Sequence, residues 1–293
     1  MSLKEAITVP AESLRGKMGV SVKNLDTGES ADISGDKLFP TASTFKVPVL
    51  VEFYRQVDNG TLSLDEKVIL RKDDLVPGSG VLKELTPGMT ITLSDLLKLM
   101  MIVSDNTATD LVLREVGMEN INNTLKELGL KKTKVKKYCR EILFDLVGVN
   151  EPLNEMTLDL WDEVQEGTDY NGTWSLGVED NDVSTPNEMA ELLEMIARGE
   201  VASKESCEAI LEIMGKCQTG QHRIPKYLPS RGLLLQRKTG SLPGIRNDVG
   251  IITIKESGVR YILSCFTMEA EDVYEAEESI AVVSENVFEY FSD

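Results

Sequence analysis

The sequence predicts an α/β protein of the α+β kind, in which strands from both ends of the chain form one antiparallel sheet flanked by helices. Alternating apolar residues near 18–34 and 232–267 are typical of paired strands. Most of the middle of the chain carries apolar residues at helical spacing. We therefore expect residues 1–42 and 187–293 to form an α/β subdomain. Residues 43–186 form an inserted, mainly helical subdomain, and the functional site lies at the seam.

The predicted elements follow from these patterns in chain order. The first two strands form a hairpin over residues 18–25 and 29–34. The predicted helices cover residues 43–58, 93–103, 106–116, 119–128, 187–198, 204–216 and 274–291. The remaining predicted strands cover residues 232–238, 248–255 and 259–267, and a turn at 255–258 joins the last two.

Composition limits the kinds of partner that the protein can have. The chain has 293 residues, of which 41% are hydrophobic and 27% are charged, as in ordinary soluble globular proteins. Its net charge of −18 argues against a nucleic acid or an anionic membrane as partner. No apolar run is long enough to predict a membrane span. We expect a monomer that binds a small molecule.

Histidine and cysteine usage argues against a metal or another cofactor. The only histidine is His222, so triads and metal sites that depend on histidine are poorly supported. The cysteines show no metal-type spacing and are expected to be free thiols, which favours a reducing compartment. They are Cys139, Cys207, Cys217 and Cys265. Residues 1–15 lack the apolar core of a signal peptide. The protein is therefore expected to be cytoplasmic if this is its native start, and secreted or periplasmic if a signal has been removed.

The first chemical motif places a serine and a lysine three residues apart, at Ser43 and Lys46. The apolar run that follows predicts a buried helix, on which the two side chains share a face. A serine in the first turn also lies at the positive end of the helix dipole, which favours an oxyanion. An ordinary buried helix that carries both residues is the alternative. Ser34 and Lys37 have the same spacing, but the Gly and Asp between them indicate a turn.

Two further motifs follow in order. Residues 104–106 read Ser-Asp-Asn between two predicted helices, and they could equally serve only as a helix cap. Residues 238–240 read Lys-Thr-Gly at the end of an apolar strand, and the alternative is a strand end with a glycine turn. Together the three motifs supply an activatable serine, two lysines, a second hydroxyl and an amide. That set is enough for acyl transfer without a histidine.

S-x-x-K, S-D-N and K-T-G in this order are the signature of class A β-lactamases and penicillin-binding proteins. Over nearly its whole length the chain resembles the class A β-lactamase-like serine hydrolases of the penicillin-recognising serine acyltransferase superfamily. The resemblance implies that Ser43 is the nucleophile and that Lys46 is its base, provided that burial lowers the pKa of Lys46. It also implies that Ser104 relays a proton to the leaving nitrogen. Asn106 would orient Lys46 and the substrate amide.

The resemblance also implies how the substrate is held. Lys238 and Thr239 would bind the substrate carboxylate, so that a compact anionic substrate is expected. The backbone N–H groups of Ser43 and of Ser241, just past Gly240, would form the oxyanion hole. Arg246 is either a second carboxylate contact or a surface residue of its strand.

The sequence departs from its family in the segment that carries the residue for deacylation. Class A β-lactamases carry a glutamate that activates the deacylating water. It lies in a loop between the S-D-N motif and the helix that follows a Thr-Pro pair, here Thr185 and Pro186. Read forward from Thr133, its place falls at Cys139, which cannot act in this way. We expect Glu151, in an E-P-L-N stretch, to take the role, with Glu141 and Glu179 as alternatives.

The segment 140–183 is longer than the family's loop and holds Trp161 and Trp174. It is either a surface elaboration or a lid that alters substrate access. Three functions are therefore compatible with the sequence. They are a β-lactamase acting through an acyl-Ser43 intermediate, a D,D-peptidase or esterase, and a β-lactam-binding protein that is acylated and deacylates slowly.

Overall fold

The computed structural model describes residues 2–165 and 177–292, and Trp174 lies outside them. The helices are α1 Leu3–Ser13, α2 Lys46–Asp58, α3 Leu93–Ile102, α4 Asn106–Val116, α5 Met118–Glu127, α6 Cys139–Leu146, α7 Leu158–Gln165, α8 Pro186–Arg198, α9 Lys204–Met214 and α10 Val273–Ser292. The strands are β1 Lys17–Asn24, β2 Ser30–Ile33, β3 Phe39–Pro40, β4 Lys67–Ile69, β5 Thr90–Thr92, β6 Val183–Ser184, β7 Leu233–Leu242, β8 Ile245–Ile254 and β9 Arg260–Met268.

The main sheet has five antiparallel strands in the order β2-β1-β9-β8-β7. It joins the two ends of the chain, because β1 pairs along its whole length with β9. The predicted fold class is therefore confirmed. The division into subdomains at residues 42/43 and 186/187 stays a prediction.

Two hydrophobic cores lie on opposite faces of this sheet. On one face, apolar residues of α1 and α10, such as Ile7 and Val283, pack against the strands. On the other face, α8 packs against the strands through residues such as Leu193. That second core continues into the central helix α2, where Leu50 and Phe53 are fully buried. The helical layer is thus joined to the sheet by packed apolar side chains.

The main differences from the sequence-based prediction are three helices, the four short strands β3 to β6, and the ends of β7 and β8 that meet in their hairpin. Helix α1 was not predicted, and neither were α6 and α7, which lie within the segment 140–183 apart from the first residue of α6. Strand β7 continues past the predicted end at residue 238 as far as Leu242, because its last residues pair with the start of β8. The K-T-G motif therefore lies inside a paired strand. No helix in the described ranges has both the length and the apolarity needed to cross a membrane.

Candidate active site

Ser43 lies in a single turn of 3₁₀-helix, Ala42–Phe45, immediately before α2. The sequence predicts an α-helix from residue 43, so its first turn is tighter than expected. Ala42 has a φ of 43°, in the left-handed region that residues other than glycine rarely adopt. Ser43 is partly exposed, whereas Lys46 is completely buried. The turn therefore presents the serine at the positive end of the central helix.

The chain that enters this turn is held by Asn247 of β8. The Asn247 side-chain N–H group donates to the carbonyl oxygens of Pro40 at 2.9 Å and Thr41 at 3.0 Å. Its Oδ1 accepts from the backbone N–H of Thr267 at 2.9 Å. Asn247 is itself fully buried. A fixed amide in the sheet thus sets the path of the chain two residues before Ser43.

Strand β7 passes unusually close to the serine turn at Gly240. A Cβ atom at this position would lie 2.5 Å from the Thr41 oxygen and 3.0 Å from the Ser43 nitrogen. Only glycine allows such an approach without displacing backbone. The backbone of Ser43 therefore lies beside the Gly240–Ser241 segment.

Lys46 makes three hydrogen bonds to the S-D-N motif. Its Nζ donates to the Ser104 carbonyl oxygen at 2.8 Å, to Ser104 Oγ at 3.2 Å and to Asn106 Oδ1 at 3.0 Å. The Asn106 amide donates in turn to the carbonyl oxygen of Pro77 at 3.0 Å. Burial lowers the pKa of Lys46, and the nearby acidic side chains of Asp105 and Asp110 oppose this. The lysine therefore holds its proton less firmly than an exposed lysine does.

Lys238 approaches the same serine from the sheet. Its Nζ donates to Ser104 Oγ at 2.9 Å and to the Thr239 carbonyl oxygen at 2.7 Å. Burial, together with the charge of Lys46, lowers the pKa of Lys238 to about 7. Ser104 has a φ of 59°, and this strained backbone places its hydroxyl between the two amino groups.

A cavity of about 400 Å³ opens at Ser43. The described residues that line it do not include Lys46, Ser104, Lys238 or Thr239, which lie behind its surface. Ser43, Asn106 and Ser241 form its polar side. The opposite wall is formed by α6 and α7, so that the segment 140–183 contributes directly to the cavity. No Asp, Glu or His stands among the described residues that line it.

Cys139 begins the wall that faces Lys46. The backbone N–H groups of Cys139 and Arg140 donate to the two carboxylate oxygens of Asp110, at 2.7 and 3.1 Å, which holds the start of α6 in place. Burial raises the pKa of the Cys139 thiol and raises that of Asp110 to about 6. A thiol with a raised pKa keeps its proton and cannot act as a base at neutral pH.

Glu151, the expected deacylation base, is not among the residues that line the cavity. It lies exposed in the connection between α6 and α7. Its neighbour Leu153 accepts a hydrogen bond from Arg140 and borders a different groove, beside Asp73. The role of Glu151 stays a prediction that this placement does not favour.

The two alternative glutamates also lie elsewhere. The Glu141 carboxylate accepts from the backbone N–H of Tyr138 at 2.8 Å and so caps α6. Glu179 borders a groove beside Lys17 and Glu269. The structure therefore brings none of the three proposed glutamates to Ser43.

Arg246 was a possible second contact for the substrate carboxylate, but its guanidinium is directed to its own chain. It donates to the carbonyl oxygens of Leu242 at 2.9 Å and Ile245 at 2.8 Å, and it lies 3.4 Å from a carboxylate oxygen of Glu277. Arg246 does not line the cavity among the described residues. The geometry favours a role in holding the end of the β7–β8 hairpin.

Arg223, which the sequence does not single out, lies against β7, the strand that carries the K-T-G motif. Its guanidinium donates to the Gly240 carbonyl at 3.0 Å, to the Asn247 carbonyl at 2.8 Å and to Ser241 Oγ at 2.5 Å. The side chain is 4% exposed. Arg223 stands outside every recognisable motif, so only its contacts reveal it.

A serine at the start of a buried helix, together with two buried lysines that meet at a second serine, is a set of groups sufficient for acyl transfer without a histidine. Comparison with known proteins agrees with this class. A sequence profile of the beta-lactamase enzyme family matches residues 2–291. Beta-lactamase VEB-1 of Pseudomonas aeruginosa is 26% identical over 290 residues, which cover 96% of this chain and 86% of that protein.

Solved structures agree over nearly the full length. The crystal structure of a beta-lactamase from Sphaerobacter thermophilus DSM 20745 has a TM-score of 0.81 and 30% identity, covering 99% of this chain and 97% of that one. A mutant of PBP-A, solved as an acyl-enzyme complex with penicillin-G, has a TM-score of 0.78 and 26% identity, covering 99% and 96%.

The chain belongs to the beta-lactamase enzyme family. This confirms the prediction of a class A β-lactamase-like serine hydrolase that acts on the amide bond of β-lactams.

Proposed function

We propose that β-lactams acylate Ser43 readily and that hydrolysis of the resulting acyl-enzyme is the slow step. The observation that carries this proposal is the contrast between the two sides of the cavity. On the polar side, Ser104 Oγ lies within hydrogen-bond distance of both Lys46 and Lys238. On the α6 side, no carboxylate lines the described part of the cavity, and Cys139 lies at the position that an ungapped reading of the family pattern gives to the deacylating glutamate.

The residues on the polar side of the cavity can carry out the acylation half of the cycle. The substrate carboxylate is drawn to the Lys238 ammonium and the Thr239 hydroxyl, which fixes the lactam carbonyl over Ser43. Neutral Lys46 accepts the proton of the Ser43 hydroxyl as its oxygen attacks the carbonyl carbon. The backbone N–H groups of Ser43 and Ser241 stabilise the oxyanion.

Ring opening then needs a proton on the departing nitrogen. When the lactam C–N bond breaks, the Ser104 hydroxyl gives its proton to that nitrogen. Ser104 recovers a proton from Lys46, which carries the one taken from Ser43. The hydrogen bond between Lys46 and Ser104 therefore closes the proton cycle, and no group from outside the site is needed.

Deacylation requires a second base, which must take a proton from the attacking water. The Cys139 thiol keeps its own proton, because burial raises its pKa. No carboxylate lines the described part of the cavity. A positioned general base contributes roughly 10² to 10⁴ in rate, so its loss predicts an acyl-enzyme that persists.

Intact mass spectrometry during incubation with benzylpenicillin tests the proposal. We expect one lasting adduct per chain, located on Ser43 by peptide mapping and absent in Ser43→Ala. Ser34→Ala is the matched control, because Ser34 has the same spacing to a lysine; this variant should acylate normally. Steady turnover without an adduct would overturn slow deacylation. An adduct on another residue, or no reaction at all, would overturn the role of Ser43.

A further inference from the structure

The segment that follows α9 contacts the chain at both the S-D-N and the K-T-G motif. The backbone N–H of Gln218 donates to the carbonyl oxygen of Ile102, the last residue of α3, at 2.9 Å. Ile102 lies just before the S-D-N motif in the sequence. In the next residue, Thr219 Oγ1 lies 2.5 Å from Thr239 Oγ1. A second threonine hydroxyl therefore lies directly against the one expected to bind the substrate carboxylate.

Gly220 allows the segment to approach the K-T-G motif this closely. Its φ of 64° is in the left-handed region that favours glycine. A Cβ atom at this position would lie 2.5 Å from Thr239 Cγ2. Any other residue would displace either the segment or the Thr239 side chain. The contact between the two threonines therefore depends on a glycine next to one of them.

A buried ion pair of the sheet holds the backbone of Thr219. Nη2 of Arg237 donates to the Thr219 carbonyl oxygen at 2.5 Å, and its Nη1 lies 3.0 Å from Asp248 Oδ2. The Arg237 and Asp248 side chains are 3% and 0% exposed. Because Arg237 belongs to β7 and Asp248 to β8, the position of Thr219 is tied to the sheet that carries Thr239.

Only one direction of the hydroxyl contact leaves a proton for the substrate. A threonine hydroxyl donates one hydrogen bond and accepts two, whereas an ionised carboxylate only accepts. If Thr239 donates to the carboxylate, Thr219 must donate to Thr239. Thr219 can in turn accept from the Cys217 thiol, whose Sγ lies 3.4 Å from Thr219 Oγ1. Hydrogen bonds aligned in this way strengthen one another in a site of low dielectric constant.

We propose that Thr219 is a positioning residue for acylation: its hydroxyl donates to Thr239 and thereby directs the Thr239 proton to the substrate carboxylate. This role rests on the proposed acylation of Ser43. Within residues 2–165 and 177–292, Thr219 supplies the one side-chain hydrogen bond of the Thr239 hydroxyl. Without that contact the hydroxyl rotates among several directions, and only some of them point to the carboxylate.

Two substrates that differ only in charge test this role. They are benzylpenicillin and its methyl ester, which keeps the lactam and the acyl side chain. The measured quantity is the second-order rate constant for adduct formation on Ser43. Thr219→Val has nearly the same shape and no hydroxyl, and it should react with benzylpenicillin roughly tenfold more slowly than the wild type. The ester should lose no more than about twofold, because hydrogen bonds to neutral acceptors are weaker.

Three further variants separate positioning from a structural role. Thr219→Ser keeps the hydroxyl and should react at close to the wild-type rate. The double variant Thr219→Val/Thr239→Val should be no slower than Thr239→Val alone, because Thr219 acts through Thr239. Thr124→Val removes another hydroxyl contact of 2.5 Å, with Glu52, between α5 and α2. Any change that it causes should be the same for both substrates. Thermal unfolding establishes that each variant is folded.

The outcomes distinguish this role from the proposed function. Equal losses for benzylpenicillin and its ester, an unchanged rate in Thr219→Val, or a further loss in the double variant would overturn the positioning role and leave acylation of Ser43 intact. A Thr219→Ser variant as slow as Thr219→Val, or the same selective loss in Thr124→Val, would overturn it too. Absence of any adduct on Ser43 in the wild type would overturn the proposed function, and the positioning role with it.

Discussion

The Nζ atom of Lys238 lies 2.9 Å from the hydroxyl oxygen of Ser104, which also lies 3.2 Å from Nζ of Lys46. Two amino groups therefore meet at one oxygen in a buried site. At most one of them is readily charged at a time, because burial and mutual repulsion disfavour two ammonium ions. This arrangement makes proton transfer at the site sensitive to pH.

The first prediction concerns the pH dependence of acylation. The pKa of Lys238 is lowered to about 7, so its positive charge is present below that pH and is lost above it. Attraction of the substrate carboxylate should weaken accordingly. We expect Lys238→Arg, which stays charged, to acylate progressively faster relative to the wild type as pH rises from 6 to 9. Second-order acylation constants across this range measure the ratio.

The ratio is the informative quantity, because it compares, at each pH, a residue 238 that can lose its charge with one that cannot. Well above the pKa of Lys238, loss of an essential proton lowers the acylation rate constant of the wild type roughly tenfold per pH unit. A ratio that stays constant from pH 6 to 9 would remove Lys238 from the role of carboxylate anchor.

The second prediction concerns Cys139. Replacing it with glutamate places a carboxylate beside Lys46, on the wall that faces Ser43. We expect Cys139→Glu to hydrolyse the benzylpenicilloyl adduct ~10²-fold faster than the wild type, the lower part of the range for a positioned base. Decay of the adduct mass after removal of free drug measures this rate.

Cys139→Gln is the matched control, since it has nearly the same size and cannot take a proton. Its adduct should last as long as that of the wild type. If the Gln and Glu variants deacylate at the same rate, the missing base is not the reason for a persistent adduct.

The third prediction concerns Asn247, which fixes the chain before the nucleophile. Asn247→Ala removes both hydrogen bonds to Pro40 and Thr41 and leaves those oxygens without this donor. We expect acylation to slow by ~10-fold or more, because small displacements of a nucleophile have large effects on rate. Stability should fall by roughly 1–3 kcal/mol.

Asn286→Ala provides the comparison, because Asn286 also donates one hydrogen bond to a backbone carbonyl, that of Ala6, far from the cavity. Its stability should fall modestly while acylation stays unchanged. Equal losses of acylation in the two variants would assign the effect to general destabilisation.

The fourth prediction concerns the stability of the segment that leads into α6. Asp182 is buried and accepts the backbone N–H groups of Lys136 and Lys137 at 2.6 and 3.0 Å. Burial raises its pKa to about 7, and the acidic side chains of Glu141 and Asp110 add to the effect. The folded state therefore binds a proton that the unfolded chain has already lost between pH 4 and 7.

The sign of the effect follows from linkage. A raised folded-state pKa gives stability at low pH that is lost as pH rises through about 7. Asp182→Asn cannot ionise, so its unfolding free energy should fall less than that of the wild type between pH 5 and 8. Urea unfolding at these two pH values measures the slope. Identical slopes in both proteins would show that Asp182 does not titrate in this range.

The main sheet and the long helices other than α1 could be predicted from the sequence, because strand alternation and helical periodicity are local patterns. Helices α6 and α7 could not. Each has only eight residues, and their stability comes from tertiary contacts such as Asp110 with the start of α6 and Phe144 with Trp161.

The same distinction applies to the site. Ser43, Lys46 and Ser104 belong to short motifs whose spacing is visible along the chain. Arg223 and Asn247 act through backbone oxygens that are 17 to 207 residues away in sequence, so no local pattern identifies them. The local sequence around Glu151 resembles the family's loop, but in the structure this residue is exposed and does not line the cavity.

The most direct test of fast acylation and slow hydrolysis is the pre-steady-state time course of a chromogenic cephalosporin with the wild-type protein. It is recorded first with the protein in excess and then with the cephalosporin in excess. The account predicts a burst of product equal to the concentration of Ser43 sites, followed by a much slower steady rate, with no burst in Ser43→Ala. A linear time course from the first turnover, with no accumulated acyl-enzyme, would contradict it.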